Sequence, residues 1–240
     1  MATLSDQRVM VVGGSSGIGL ATVRAAAREG AEVIMVSRSA EKLDAAKRGI
    51  AGKVSSRAVD MLDRPAVQSL LEELEFIDHL VLTAVANEGK LRHRVIEISD
   101  EDFDRSLDKF RGFFHFVRAA APKIRRGGSI TITSGDSALK PPRQGMSVLA
   151  AVNAAVAAFS KALSLELAPV RVNAVSPGVV DTAVWSPADR KKVKVWAESP
   201  ELPAQRFGQP EDIAHAMIFL MTNPYVTGHL LVVDGGLVAT

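Results

Sequence analysis

The stretch Arg8–Gly19 (RVMVVGGSSGIG) decides the fold of this 240-residue chain. It begins as a short apolar run and ends in glycines and serines. Gly13, Gly17 and Gly19 allow a tight turn and a close approach of the backbone to a ligand. The next residues continue as a helix, whose first N–H groups point outward and can hold an anion. The order of strand, glycine-rich turn and helix predicts a site for the pyrophosphate of a dinucleotide. The alternative is a turn that only packs the strand against the helix.

Short apolar runs alternate with longer helical stretches along the rest of the chain. Runs that are apolar on both faces are typical of a parallel sheet covered by helices on both sides, so the pattern predicts a doubly wound α/β fold. We expect strands at Arg8–Val12, Glu32–Val36, Leu80–Leu82, Ser129–Thr133, Val170–Val175 and Leu230–Val233. We expect helices at Ile18–Glu29, Arg64–Leu74, Asp100–Ala121, Leu149–Ala168 and Pro210–Thr222. Residues 1–240 are predicted to form one domain, with a lid-like excursion from the sheet at about 181–208.

The amino-acid composition is typical of a globular protein and excludes several other classes. The hydrophobic fraction of 47% with 23% charged residues is ordinary for a globular protein. The absence of cysteine excludes a disulfide framework and a thiolate nucleophile, and the five histidines lack metal-ligand spacing, so no metal is expected. A net charge of +2 does not indicate a nucleic-acid partner. The start of the chain lacks the apolar core of a signal peptide, and no run of 18 uncharged apolar residues is present. We therefore expect a cytoplasmic protein without a membrane partner.

The spacing Gly13-x-x-x-Gly17-x-Gly19 resembles that of the short-chain dehydrogenase/reductase family. Three further segments resemble family signatures: Arg171–Thr182, Arg206–Ile213 and Val233–Gly236. The resemblance covers nearly the whole chain. It implies a Rossmann-type domain with a parallel sheet of about seven strands, a dinucleotide cofactor and hydride transfer. It also implies a homo-oligomer, a tetramer or a dimer, that pairs through the helices at Asp100–Ala121 and Leu149–Ala168.

The second strand indicates which nucleotide the chain prefers. Relatives that bind NAD place an acidic residue after this strand, where it binds the adenosine ribose, but Ser37 and Arg38 stand here. A hydroxyl and a guanidinium suit a 2′-phosphate, so we predict NADP(H); the alternative is a surface arginine at the strand end. The expected cofactor-binding residues, by their match to the family's motifs, are Gly13, Ser15, Ser16, Gly17, Ile18, Gly19, Ser37, Arg38, Asp60, Met61, Ala84, Pro177, Gly178, Val180 and Thr182.

The chain differs from the family pattern at the positions of the catalytic residues. Family members use a Tyr-x-x-x-Lys pair, whose lysine lies 13 residues before a glutamate that matches Glu166 here. This count puts Asn153 at the lysine position and Leu149 at the tyrosine position. Leucine has no titratable group, and neutral asparagine supplies no positive charge. The only tyrosine, Tyr225, lies near the C-terminus, away from the expected catalytic helix.

Two further family positions are altered. The family's helix asparagine is replaced by Lys109, and its strand-end serine matches Ser134 or, with a shift of one residue, Gly135. Lysine and asparagine are thus exchanged between the two helices. We hypothesise that Lys109 and Asn153 form a swapped pair that keeps a cation beside the nicotinamide ribose, with Ser134, Lys109 and Asn153 as the catalytic set. The alternative is independent drift in an inactive site.

Three functions therefore stay open. The first is an NADP-dependent oxidoreductase that acts on a small carbonyl or alcohol. The second is a non-catalytic cofactor sensor or partner subunit, and the third is a non-redox enzyme on the same scaffold. We favour the first because Asn173 and residues 176–182 resemble active relatives. The basic segments Arg190–Lys194 and Arg92–Arg94 indicate either a lid that recruits an anionic substrate or, as we prefer, solvated surface.

Overall fold

The structure, a computed structural model, describes residues 4–85, 91–143 and 145–240. Seven strands form one parallel sheet in the order β3-β2-β1-β4-β5-β6-β7. The strands are β1 Arg8–Val12, β2 Glu32–Ser37, β3 Val54–Ala58, β4 Ile77–Leu82, β5 Ile124–Thr133, β6 Arg171–Pro177 and β7 Leu230–Val233. The predicted doubly wound fold with about seven parallel strands is confirmed.

Helices cover both faces of the sheet. They are α1 Gly17–Arg28, α2 Ala40–Lys47, α3 Arg64–Glu72, α4 Asp100–Ser106, α5 Asp108–Ala120, α6 Ser147–Glu166, α7 Pro187–Ala197 and α8 Pro210–Thr222. Side chains alternate along β1, so that Met10 and Val12 pack with α3, α5 and α6, whereas Val9 and Val11 pack with α1, α2 and α8. The strand is buried on both faces for this reason, which explains its continuous apolar run.

Several predicted boundaries were wrong, each for a physical reason. The expected helix Asp100–Ala121 is two helices, because the chain turns at Leu107, whose N–H bonds to the Asp104 carbonyl three residues back at 3.1 Å. Strand β3 was missed because it is polar, lies at the sheet edge and is only partly buried. Strand β5 begins five residues before its predicted start, since the exposed segment 125–127 hides it from an apolar pattern.

The predicted excursion from the sheet contains one helix and a small apolar cluster of its own. Within residues 181–208, Ala197 at the end of α7 packs with Leu202 and Phe207. The two ends of the segment meet, because Val180 and Gly208 form a parallel β-bridge. We call residues 181–208 the flap.

Helix α6 is long and apolar enough to cross a membrane by length and composition, with a mean hydropathy of 1.7 over its best window. The core helix of a soluble protein passes the same test. Here Val156 and Leu163 of α6 pack in the main hydrophobic cluster beside the sheet. The composition of α6 is therefore weak evidence for a membrane span.

Candidate cofactor and active site

The residues expected to bind the cofactor gather at the carboxyl edge of the sheet, where ligands bind in doubly wound folds. Each group follows a different strand: Gly13–Gly19 after β1, Ser37 and Arg38 at the end of β2, Asp60 and Met61 after β3, Ala84 after β4, and Gly178–Thr182 after β6. Ser134 follows β5, and Lys109 of α5 and Asn153 of α6 approach it from the covering helices. The fold thus brings all the predicted site residues to one edge.

The glycine-rich turn after β1 leaves a helix start open for an anion. Gly17 has φ +51°, a left-handed conformation that favours glycine, and a Cβ there would lie 3.3 Å from Cγ2 of Thr182. A Cβ on Gly19 would collide with the carbonyl oxygen of Gly13. Ser16 is the N-cap residue just before α1, and its side chain makes no capping hydrogen bond. The first turn of α1 has no acidic residue. The first N–H groups of α1 therefore suit the pyrophosphate of a dinucleotide.

The loops after β1 and β2 are joined at the expected ribose position. The hydroxyl of Ser15 donates to that of Ser37 at 3.0 Å. Arg38 next to it is exposed, and it pairs with no carboxylate among the described residues. A guanidinium without an acidic partner is able to bind a phosphate in its place.

The expected adenine position lies after β3, against α5. The Asp60 carboxylate accepts the Leu62 N–H at 2.9 Å, which fixes this turn. Met61 packs on Gly112 of α5 so closely that a Cβ at Gly112 would lie 2.5 Å from the Met61 sulfur. The imidazole Nδ1 of His115 lies 3.0 Å from the carbonyl oxygen of Met61. These contacts hold the turn in one position beside the nucleotide edge.

The three residues expected to be catalytic form one buried network. The Lys109 ammonium, in a residue only 3% exposed, donates to Oδ1 of Asn153 at 2.7 Å and to the carbonyl oxygen of Ser134 at 3.0 Å. The Ser134 hydroxyl donates to the backbone carbonyl of Asn153 at 2.8 Å. The hypothesised contact between Lys109 and Asn153 is therefore present. The Ser134 hydroxyl, in contrast, is engaged in tying β5 to α6.

Ser137, which was not predicted from the sequence, belongs to the same network. The Ser137 hydroxyl accepts a hydrogen bond from Nδ2 of Asn153 at 2.9 Å, and Ser137 is buried. A Cβ on Gly135 would lie 2.6 Å from the same Nδ2, so only glycine lets Asn153 come this close to the turn. The signal in the sequence was a second serine, three residues after Ser134. The turn after β5 thus supplies two serines with different tasks.

Leu149 lies one helical turn before Asn153 on α6 and is buried. Its side chain is apolar and gives no proton. The groups of this network that carry transferable protons are the Lys109 ammonium and the hydroxyls of Ser134 and Ser137.

The loop after β6 and the flap enclose a cleft beside α1. Its volume is about 380 Å³, and Gly17, Thr182, Trp185 and Arg190 are among the residues that line it. Gly178 makes a close backbone approach, because a Cβ there would lie 2.6 Å from Cα of Asp234. The β6 loop is thus held against the C-terminal segment while Thr182 faces the glycine-rich turn.

Comparison with known proteins places the chain in a family. Residues 12–238 match the family model described as enoyl-(acyl carrier protein) reductase. The human 3-oxoacyl-(acyl-carrier-protein) reductase is 34% identical, over 97% of this chain and 98% of that protein. The corresponding reductase of Thermotoga maritima is 32% identical, over 98% of this chain and 99% of its own length. The chain belongs to the short-chain dehydrogenase/reductase family.

Solved structures of this family superpose closely on the chain. The NADPH-bound short chain oxidoreductase of Pseudomonas aeruginosa PAO1, described as containing an atypical catalytic center, has a TM-score of 0.89 at 29% identity and covers 99% of this chain and 98% of that one. L-sorbose reductase of Gluconobacter frateurii, complexed with NADPH and L-sorbose, has a TM-score of 0.90 at 27% identity, with coverage of 99% and 98%.

One signature of the short-chain dehydrogenase/reductase family that the sequence shows here holds the end of the flap. Arg206 forms two hydrogen bonds with the Asp212 carboxylate of α8, at 2.6 and 2.8 Å. The hydrogen bond from Arg206 lowers the pKa of Asp212 below its usual value, although partial burial opposes the shift. This ion pair fastens the returning end of the flap to α8.

Proposed function

We propose that this chain is an NADP(H)-dependent oxidoreductase that interconverts a small carbonyl compound and its alcohol. By the family resemblance, Leu149 and Asn153 stand where relatives carry the catalytic tyrosine and lysine. Lys109 stands where relatives carry an asparagine. The observation that supports the proposal is the buried Lys109 ammonium, oriented by Asn153 and by the Ser134 carbonyl.

The assignment of the cofactor follows the carboxyl edge of the sheet. The first N–H groups of α1 would hold the pyrophosphate, and Ser37 with Arg38 would hold the 2′-phosphate. Asp60 and Met61 would contact the adenine, and the loop after β6 would cover the nicotinamide. The NADPH-bound relatives support this choice of nucleotide. When bound, NADP(H) supplies or accepts the hydride.

Lys109 has two tasks in this proposal. Both acceptors named above are neutral oxygens, and they orient the ammonium in the buried site. A preoriented cation in a buried site stabilises the negative oxygen that develops as a carbonyl accepts a hydride. Leu149 carries no proton, and the Ser134 hydroxyl is engaged. The Ser137 hydroxyl is a neutral alcohol and a weaker acid than an ammonium, so we assign the proton that reaches this oxygen to Lys109. Solvent then reprotonates the amine.

The second candidate is a nucleotide-binding protein without turnover. The buried apolar side chain of Leu149 favours it, because relatives place the proton donor at that position. In this case the Lys109–Asn153 contact would serve cofactor binding alone.

The replacement Lys109→Met tests the proposal, because methionine is similar in length and fits a buried site without a charge. Lys161→Met, on the exposed face of α6, is the matched control. We expect NADPH oxidation with a panel of aldehydes and ketones to fall more than about 100-fold in Lys109→Met and to stay unchanged in the control. Turnover by Lys109→Met at the unmodified rate would refute the role of the lysine. NADPH binding without turnover in the unmodified protein would favour the second candidate.

We propose that the chain forms a homo-oligomer through α5 and α6. Phe114 on α5 is 43% exposed and Leu165 on α6 is 80% exposed, which leaves apolar surface on the helices implied by the family resemblance. Light scattering at micromolar concentration is expected to give the mass of a dimer or tetramer. A monomer mass would contradict the proposal.

A further inference from the structure

A cation–π contact joins two segments above the candidate active site. The guanidinium carbon of Arg92 lies 4.7 Å from the ring centroid of Trp185. Trp185 is fixed in place, since its indole N–H donates to the Val180 carbonyl at 2.9 Å and its ring packs near Phe207. The Arg92 side chain therefore rests on a rigid wall of the flap.

The sheet order shows what this contact spans. Arg92 belongs to the segment after β4, and Trp185 belongs to the segment after β6. Strand β5 lies between these two strands in the sheet, so the contact passes over the carboxyl end of β5. The network of Ser134, Lys109 and Asn153 lies at that end.

The backbone of Arg92 also lies beside the segment that leads into α6. A Cβ on Gly145, just before α6, would lie 3.6 Å from the carbonyl carbon and oxygen of Arg92. The segments after β4, β5 and β6 thus meet at Arg92.

The charges around Arg92 are paired, but its own charge is not. His93 lies 3.5 Å from Asp102, Arg94 lies 3.5 Å from Glu97, and Arg190 lies 2.6 Å from Asp181. Arg92 pairs with no carboxylate within the described residues. Stacking uses the face of a guanidinium and leaves the N–H donors at its edge for a planar or tetrahedral anion.

We infer that Arg92 binds an anionic group of the substrate, either a carboxylate or a phosphate, while Trp185 packs against the substrate's apolar part. The inference deepens the proposed function and rests on it, because it names the substrate class as an anionic carbonyl compound. Arg92 is then a specificity-determining residue rather than solvated surface.

Matched pairs of substrates test this inference. Each pair shares one reacting carbonyl and differs in charge: a 2-oxo or 3-oxo acid with its methyl ester, and dihydroxyacetone phosphate with dihydroxyacetone. The oxo acid and the phosphate distinguish the two kinds of anion. The variants are Arg92→Gln, which keeps a polar side chain and loses the charge, and Trp185→Leu, which removes the stacking surface. Arg94→Gln is the control, since Arg94 is exposed and already paired.

We expect the unmodified protein to favour the anionic member of at least one pair in kcat/KM. Arg92→Gln should lower that preference about 10–100-fold, with unchanged activity on the neutral member and unchanged NADPH affinity. Trp185→Leu should lower the preference several-fold, and Arg94→Gln should leave it unchanged. Equal losses on neutral and anionic substrates in Arg92→Gln would overturn the inference, as would a preference for the neutral members in the unmodified protein.

A binding measurement separates failure of this inference from failure of the proposed function. Malonate and inorganic phosphate are titrated into the protein loaded with NADP⁺, and the heat of binding is measured. If no carbonyl compound is reduced, the proposed function fails, yet anion binding that Arg92→Gln abolishes upholds Arg92 as an anion site. Anion binding that is absent, or equal in the variant, overturns it.

Discussion

The nucleotide half of the site, after β1 to β3, and the catalytic half, after β4 to β6, are built in different ways. In the nucleotide half the groups that we propose to hold the pyrophosphate are backbone N–H groups, exposed by Gly17 and by the uncapped start of α1. In the catalytic half they are side chains, with Lys109, Asn153 and Ser137 in one network. A backbone site depends on glycines at fixed positions. A side-chain site depends on a charge at a given point, which residues on either of two helices can supply.

The largest effect is expected when the catalytic half is given the family's usual residues. The triple variant Leu149→Tyr, Asn153→Lys, Lys109→Asn should raise carbonyl reduction about 100-fold or more, because a phenol beside an ammonium has a lowered pKa and acts as a general acid. The double variant that keeps Lys109 should gain less, since two ammonium groups repel. The measurement is NADPH oxidation at a fixed substrate concentration. Leu149→Phe in place of Leu149→Tyr is the control without a hydroxyl. Equal rates for the Phe and Tyr forms would contradict the assignment of Leu149.

Towards the opposite edge of the sheet, His79 is also buried and hydrogen-bonded, but it lies outside the candidate site. Its Nε2 bonds to the Gln7 side-chain oxygen, and its Nδ1 lies 2.8 Å from the Ser129 hydroxyl. Gln7 Oε1 only accepts, so Nε2 carries the proton of a neutral ring. Burial, with a smaller contribution from Arg171, lowers the pKa of His79 from 6.5 to about 4.

Between pH 6.5 and 4 the unfolded chain therefore binds more protons at His79 than the folded chain does. Folding stability should be fully present above pH 6.5 and should fall by about 3 kcal/mol as the pH drops towards 4. Urea unfolding at pH 7 and pH 4.5 measures this loss. His79→Gln should flatten the dependence and leave turnover at pH 7 unchanged. An unaltered pH slope in His79→Gln would show that other groups cause it.

The nucleotide half is tested by Arg38→Asp. The change should weaken NADPH binding about 10–100-fold, equivalent to about 1.5–3 kcal/mol, because it replaces a phosphate partner with a like charge. NADH binding should weaken much less. Fluorescence titration of both nucleotides measures the ratio of dissociation constants. Arg48→Asp, at the exposed end of α2, is the matched control. Equal dissociation constants for NADPH and NADH in the unmodified protein would rule out the preference.

The smallest effect on stability is expected at the ion pair that fastens the end of the flap to α8. Asp212→Asn removes the charge that Arg206 holds, and the half-exposed pair contributes only about 0.5–1 kcal/mol after solvent screening. Because the folded-state pKa of Asp212 is lowered, this stability is present above the carboxyl's usual pKa and is lost as the pH falls through the lowered value. Thermal unfolding at low and high salt measures it. A destabilisation equal at both salt concentrations would argue against an electrostatic cause.

Features that are set by neighbouring residues could be predicted from the sequence, whereas contacts between separate loops could not. Strands β1 and β7 and helix α8 have the predicted bounds, because apolar runs and Pro210 mark them clearly. The glycine-rich turn was found because its determinants are neighbours in sequence. The role of Ser137 and the contact of Arg92 with Trp185 were not predicted, since they depend on how separate loops meet at the sheet edge. The contact of Lys109 with Asn153 was predicted only through family spacing, because 44 residues separate the two.

A crystal structure of the NADP⁺ complex is the decisive test of the swapped pair formed by Lys109 and Asn153. We expect the Lys109 ammonium to lie within hydrogen-bonding distance of a nicotinamide ribose hydroxyl and to keep its bond to Asn153 Oδ1. A complex in which Lys109 points to solvent, away from the ribose, would contradict the swapped pair and make the non-catalytic nucleotide binder the better description.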